Sequence, residues 1–342
     1  MIAIQDIKGD YGSRWAAYCR DNNLPFVEVD CYSSDIVEQL RSCRVLLWQV
    51  HQNKVADRLM AKQLLFALEG LPIRVFPNPQ TVWHFDDKVA QKYLLEAVAA
   101  PLVPSTVFYS KQEALEWLKT CSYPKVFKLR GGAGSLNVRL VRNPAQGRRL
   151  VRKAFGRGFS PYNAWRSLGE RWRHFRQGKA SWLQVGAGIV RLFFPPAYAR
   201  LGARERAYVY FQDFVPDNSH DIRITCVGNR CFGSRRAVRP GDFRASGSGV
   251  SDLDEQQIPA EALRIALEVT RRLGLQSAAF DFVMYRGRPL IVEVSYVFGY
   301  PDGQFEWGYW DPELVFHKGL FNPFGWMIES LLKEAPKTEV SL

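Results

Sequence analysis

The chain has 342 residues, too many for one simple core; at about 150 residues per domain, two or three domains are expected. Hydrophobic residues make up 47%, which excludes wholesale disorder, and no apolar run approaches the roughly 20 residues a membrane-spanning helix needs. The net charge is +12, and all of it falls between Gly147 and Ala207, where fourteen Lys and Arg residues stand against two acidic ones, Glu170 and Glu205. The opening residues, Met1 to Asp6, lack the basic and apolar regions of a secretory signal, so the expected location is the cytoplasm. The six cysteines form no CxxC pair and no zinc-type cluster, and read as reduced thiols. Cys226 and Cys231 flank Gly228-Asn229, as on two strands joined by a turn; a disulfide there is compatible but not demanded.

The first third alternates strand and helix signals. Ile2 to Ile4 is a strand, followed by a helix around Trp15, Ala16 and Cys19. Pro25 to Val29 is a second strand, and Ser33-Ser34-Asp35 supplies an N-cap for a helix through Leu40. Val45 to Trp48 is a wholly apolar strand, and Leu59, Leu64, Leu65 and Leu68 recur at helical spacing up to a stop at Gly70. Arg74 to Pro77 is a further strand, and this alternation implies an α/β layer with a parallel sheet. The middle offers a helix at 87–98, a strand at 107–109, a helix at 111–119 and a hairpin of Lys125–Leu129 and Asn137–Val141 around a glycine-rich tip. After the basic stretch come strands at 207–215, 221–227, 230–238, 279–285 and 289–295, with one helix at 259–273.

Four constellations carry chemistry. Asp281 and Glu293 lie on two strands joined by a turn at Arg286 to Pro289, so they meet on adjacent antiparallel strands. Acidic groups in otherwise apolar strands need a cationic partner, either Mg²⁺ or nearby arginines. Lys128 precedes Gly131-Gly132-Ala133-Gly134-Ser135, a pattern whose backbone N–H groups can cradle phosphate but which also suits an ordinary hairpin turn. Gln212-Asp213-Phe214-Val215 leads into Asp221 and Arg223. Arg236 and Arg244 lie within about two hairpins of Arg223, and together they gather positive charge opposite the two carboxylates.

In this order and spacing, from Phe85 to Tyr300 with the basic stretch as an interruption, the pieces resemble the ATP-grasp superfamily. The nearest likeness is to the branch of the ribosomal-protein glutamate ligases and bacterial glutathione synthetase. The resemblance implies an N-terminal parallel-sheet domain (1–84), a central lid (85–215) carrying a basic insertion at 147–207, and a C-terminal antiparallel catalytic domain (216–342). It implies that Lys88, after Asp87, and Lys128 contact nucleotide phosphates under a flap at Gly131, Gly132, Gly134 and Ser135. Gln212, Asp213, Phe214 and Val215 resemble the adenine hinge, and Asp221 an acidic position near the ribose. Arg223, Arg236 and Arg244 resemble residues that hold phosphate or the reacting carboxylate. Asp281 and Glu293 match two of the three Mg²⁺ ligands; Ser295 stands where the family has Asn. The implied activity is ATP-dependent carboxylate–amine ligation through an acylphosphate, with Mg²⁺ or Mn²⁺. A kinase that stops at phosphoryl transfer and a silent nucleotide-binding module are the alternatives.

The basic stretch is rich in aromatic residues and admits three readings: docking on anionic lipid, binding of an acidic polysaccharide or lipid-linked glycan, or a self-packed insertion with a solvated face. The glycan reading extends to modification of a cell-surface glycan or its precursor. No nucleic-acid motif accompanies the charge. The aromatic C-terminal segment, from Phe305 to Trp326, reads as core or as a homodimer contact.

Overall fold

A computed structural model of the chain describes residues 1–132, 137–160, 168–169, 171–172, 175–176, 181–193, 204–238, 251–301 and 303–333. Two compact units form: 1–85 with 90–102 and 215–342, and 86–89 with 103–214.

The first unit opens with β1 (Ile2–Gln5), α1 (Asp10–Asp21), β2 (Phe26–Val29), α2 (Ile36–Leu40), β3 (Val45–Leu47), α3 (Val55–Ala67), β4 (Arg74–Phe76) and α4 (Pro79–Val82). The strands pair in parallel in the order β2-β1-β3-β4. Covered on both faces, β3 is apolar at every position. Ala61, Leu64 and Leu65 of α3, with Leu68 just beyond its end, form the buried stripe, spaced i, i+3, i+4, i+7. Leu59 falls off that stripe and is 69% exposed. Asp35 precedes α2 but makes no capping bond; its carboxylate accepts from Ser33 and Gln39 instead.

His84, just beyond α4, is 1% exposed, and neither ring nitrogen has a hydrogen-bond partner among the described residues. Burial, with Lys62 nearby, lowers its pKa to about 4. The unfolded chain therefore binds a proton at this site that the folded chain refuses. The stability is complete above about pH 6.5 and is lost as pH falls toward 4. Going from about pH 7.5 to about pH 5 should cost the wild type about 2 kcal/mol more than it costs His84→Leu. Urea unfolding of both proteins at the two pH values checks this, and parallel losses would refute it.

The second unit takes the first residues of α5 (Lys88–Ala97), then β5 (Ser105–Phe108), α6 (Lys111–Thr120), β6 (Lys125–Lys128), β7 (Val138–Val141), α7 (Pro144–Ala154), α8 (Trp182–Phe193) and β8 (Val209–Asp213). Its antiparallel sheet runs β5-β8-β6-β7. Ala114 and Leu118 of α6 and Leu150 and Val151 of α7 share a core with Phe127 and Phe211. The basic stretch thus begins inside this core. An antiparallel bridge between Phe159 and Glu205 ties together the chain on either side of residues 160–204.

The chain then returns to the first unit through β9 (His220–Val227), β10 (Arg230–Ala237), β11 (Ser251–Asp252), α9 (Ala260–Leu273), β12 (Ser277–Tyr285), β13 (Arg288–Ser295), α10 (Gln304–Trp307), β14 (Gly308–Trp310), β15 (Phe316–Lys318) and α11 (Pro323–Lys333). The sheet order is β13-β12-β9-β10-β14-β15, with β11 on β10. Ala262, Leu263, Ala266 and Val269 of α9 cover one face through Ile222, Ile224, Phe280 and Phe282. Cys226 and Cys231 are register partners and, like the other four cysteines, carry free thiols.

Helix α11 escaped the sequence reading although it carries signals: Asn322 caps it by accepting from the Phe324 and Gly325 amides, and Pro323 opens it. Gly325 lets it pack onto α1, where any side chain would run into the Tyr18 ring. The C-terminal aromatics Phe305, Phe321 and Phe324 join Phe232 and Phe298 in the core. Two tyrosines pin distant backbone: Tyr11 Oη accepts from the Phe298 amide (2.8 Å) and donates to its carbonyl (3.1 Å), and Tyr296 Oη does the same at Val50 (2.8 and 3.1 Å).

Candidate functional site

The sheet face opposite α9 holds Asp221, Arg223, Arg236, Asp281 and Glu293. Hairpin β12–β13 turns on Arg286 and Gly287, both at positive φ, between the paired residues Tyr285 and Arg288. The register set by that turn runs as far as Phe282 across from Ile291; a bulge then leaves Val292 as the extra residue on β13 and brings Glu293 directly across from Asp281. Ala279 pairs with Ser295, so strand alternation puts Asp281, Glu293 and Ser295 on one face. On the other side Asp281 pairs with Arg223, and Asp221 with Arg236, which adds two more strands to the same face. The amide beside Glu293 is fixed from α5: Val294 N donates to Gln91 Oε1 (3.4 Å), and Gln91 Nε2 donates to the His84 carbonyl (3.2 Å).

The charged groups interlock. Arg223 donates from Nε and Nη2 to the two oxygens of Asp281 (2.8 and 3.0 Å). Arg236 donates from Nε to Asp221 (2.7 Å), and its Nη2 serves both Asp221 and Asp281, the latter at 2.9 Å. Burial alone would raise the pKa of Asp281, but Arg223 and Arg236 outweigh it and hold the carboxyl well below the usual range. Asp221 moves the other way: burial and the charge of Asp281 push it up to about 6 against the pull of Arg236. Burial opposes the charge on Arg236, yet the two carboxylates hold its proton more tightly than usual. Two guanidinium groups thus take fixed orientations from two-point carboxylate pairing. The arginine partner anticipated for Asp281 is present; Arg244 lies outside the described residues.

Asp281, Glu293 and Ser295 offer two carboxylates and a hydroxyl, hard oxygen donors that suit Mg²⁺. Ser295 Oγ donates to the Val297 carbonyl (2.8 Å), which spends its proton and leaves oxygen lone pairs for a cation. Among the described residues no group of three or more His, Cys, Asp and Glu gathers, so a cation here would complete its shell from phosphate oxygens and water.

The second unit holds the other predicted residues that are described, apart from Val215. Lys88, buried at the start of α5, donates from Nζ to the Gly132 carbonyl (3.0 Å) and from its amide to the Arg130 carbonyl (3.0 Å). Gly132 adopts φ 113°, where a side chain would also meet Asn137, so glycine is required there. Its amide donates to Asp86 Oδ1 (2.8 Å), and Asp86 Oδ2 lies closest to where a side chain on Gly131 would begin. The base of the glycine loop is therefore clamped to Asp86 and Lys88. Asp86 was not singled out from sequence, where it is only the first acid of an Asp-Asp-Lys run. Gly134 and Ser135 lie outside the described residues. Lys128 ends β6, buried, with Val126 across from Gln212 on the same face of the sheet. Gln212 Nε2 donates to Ser105 Oγ (3.1 Å), and Asp213 receives Lys125 (2.5 Å) while its amide donates to the Pro104 carbonyl (2.8 Å). Phe214 closes this unit, and Val215 opens the last segment of the first.

Residues 200–300 match the RimK-like ATP-grasp domain. Across 86% of this chain and 89% of the other, the fold superimposes with a TM-score of 0.53 and 15% identity on the RimK domain protein ATP-grasp from Sphaerobacter thermophilus DSM 20745. The chain has the ATP-grasp fold. N5-carboxyaminoimidazole ribonucleotide synthetase from Thermotoga maritima shares this ATP-grasp fold at a TM-score of 0.58 and 12% identity, over 99% of this chain and 77% of that one. A probable alpha-L-glutamate ligase from Pectobacterium carotovorum subsp. carotovorum is 30% identical over 91 residues, 26% of this chain; the match spans only 30% of that protein's length. The segment matched to the ATP-grasp domain contains Asp221, Arg223, Arg236, Asp281, Glu293 and Ser295.

Proposed function

We propose that the chain is an ATP- and Mg²⁺-dependent ligase that joins a carboxylate to an amine through an acylphosphate. The interlocked Asp221, Arg223, Arg236 and Asp281 beside Glu293 carry this reading. Such an arrangement holds guanidinium groups ready for anionic oxygens before substrate arrives, and preorganised charge does more than any other effect to stabilise acyl and phosphoryl transfer. Mg²⁺ held by Asp281 and Glu293 would supply neutralisation of the triphosphate charge. Arg223 and Arg236 use Nε and Nη2 on the aspartates, which leaves Nη1 on each for the substrate carboxylate and the tetrahedral intermediate. Lys88, Lys128 and the glycine-loop amides bind the phosphates, and residues 212–215 the adenine. A carboxylate oxygen attacks the γ-phosphorus, the bond to the ADP oxygen breaks, and the amine nitrogen then displaces phosphate from the acyl carbon. A glycan or its precursor as the carboxylate is the narrower reading, and it rests on the basic stretch alone.

Calorimetry of ATP binding with and without Mg²⁺, on wild type and Glu293→Gln, tests the reading. Magnesium should tighten binding in the wild type, and the variant should lose that gain, by about tenfold or more. Equal binding in all four titrations would overturn it. ADP and phosphate released together with a new amide separate a ligase from a kinase.

A further inference from the structure

We propose that the basic excursion of the second unit is an interfacial anchor that lays α8 on an anionic bilayer surface. Along α8 the exposed side chains are Trp182 (70%), Leu183 (61%), Ile189 (49%) and Val190 (57%), with Ala187 exposed among them. At 100° per residue these positions fall on one contiguous arc, so the helix turns its apolar side to solvent. The opposite side is occupied: Gly188 is buried against Leu168 and Arg171. Trp172 and Phe175, with rings 5.8 Å apart, are exposed as well. A row of large exposed apolar groups costs free energy in water unless something covers it.

Charge selects the occupant. From Glu170 to Glu205 no acidic residue intervenes, while Arg171, Arg173, Arg176, Lys179, Arg191, Arg200 and Arg204 do. Arg148, Arg149 and Arg152 on α7 are exposed too. A second copy of this chain would bring the same positive charge against itself. An acidic polysaccharide answers the arginines but offers nothing to Trp182, Leu183, Ile189 and Val190. An anionic bilayer answers both, with headgroup charge at the surface and acyl chains beneath. At 12 residues and about 1.5 Å per residue the helix is about 18 Å long, too short to span, and none of the described helices is long and apolar enough to cross a membrane. It would lie in the plane of the interface.

Co-sedimentation of the full chain with phosphatidylglycerol vesicles and with phosphatidylcholine vesicles tests this, together with the variant Leu183→Ser/Ile189→Ser/Val190→Ser. The variant keeps every charge and alters only exposed side chains; unchanged circular dichroism and ATP binding report its folding. The anionic vesicles should bind at least tenfold more tightly than the zwitterionic ones, and the variant should lose at least tenfold on the anionic vesicles. Vesicle binding unchanged in the variant would overturn the proposal in favour of plain charge attraction. Failure to bind vesicles, whether the protein then proves to bind hyaluronate or to dimerise through α8 in light scattering, would overturn it as well. The readout involves no ATP turnover, so it stands or falls apart from the ligase reading.

Discussion

Asp281→Asn should be the most damaging single change in the chain. The side chain is 14% exposed and receives hydrogen bonds from both Arg223 and Arg236, so asparagine leaves two largely buried guanidinium groups with only Asp221 between them. Breaking a buried ion network from one side costs about 3–5 kcal/mol, more than the intact pairing contributes, because the remaining charge stays desolvated. Activity should fall further than stability explains. The arginines lose the partner that orients them, and one of the two carboxylates offered to Mg²⁺ is gone; a drop on the order of 10²-fold in ADP release is expected. The double variant Asp281→Asn/Arg236→Met separates the two effects. Removing one stranded cation should restore part of the unfolding free energy in urea while leaving ADP release as low as in the single variant. Full activity in Asp281→Asn would exclude this network from the reaction.

Lys88→Met should weaken ATP binding about 10- to 100-fold, the range of one charged hydrogen bond to an anion. Methionine keeps the buried stem of the side chain and removes only the ammonium, so the loss measures charge and not packing. The bond to the Gly132 carbonyl disappears with it, and the glycine loop loses one of its two clamps. Asp86→Asn should act in the opposite direction. Asparagine can still accept from the Gly132 amide, but it removes a negative charge from the loop base, so ATP should bind several-fold more tightly by calorimetry. Wild-type affinity in Lys88→Met would rule out the phosphate assignment of this lysine.

That Asp281 and Glu293 lie on neighbouring strands was legible because Arg286-Gly287 signals the turn of a hairpin. That they stand directly opposite on one face was not, since the turn register and period-two alternation alone would pair Asp281 with Val292, and only the bulge at Val292 brings Glu293 across. The parallel sheet at the start was legible, since strand and helix periods alternate along the chain. Other features had no local signal. The choice of Arg223 and Arg236 as partners of Asp281 depends on β9 lying between β10 and β12. The pinning of Phe298 by Tyr11 joins residues 287 positions apart, and that of Val50 by Tyr296 joins residues 246 apart. Helix α11 had both cap and proline signals but sat in an aromatic run that masked its period.

By itself the sequence determined the element order, the alternation that builds a parallel layer and then an antiparallel one, and the types of residue available for phosphate, metal and carboxylate. These follow from backbone sterics and hydrophobic periodicity, which act over a few residues. Only the tertiary structure decided which charges face one another and which histidine is buried without a hydrogen-bond partner among the described residues. It alone showed that Asp86 and Lys88 clamp the glycine loop and that α8 turns its apolar side outward. Those outcomes depend on strand neighbours and on burial, and burial sets the strength of every charge interaction by removing water.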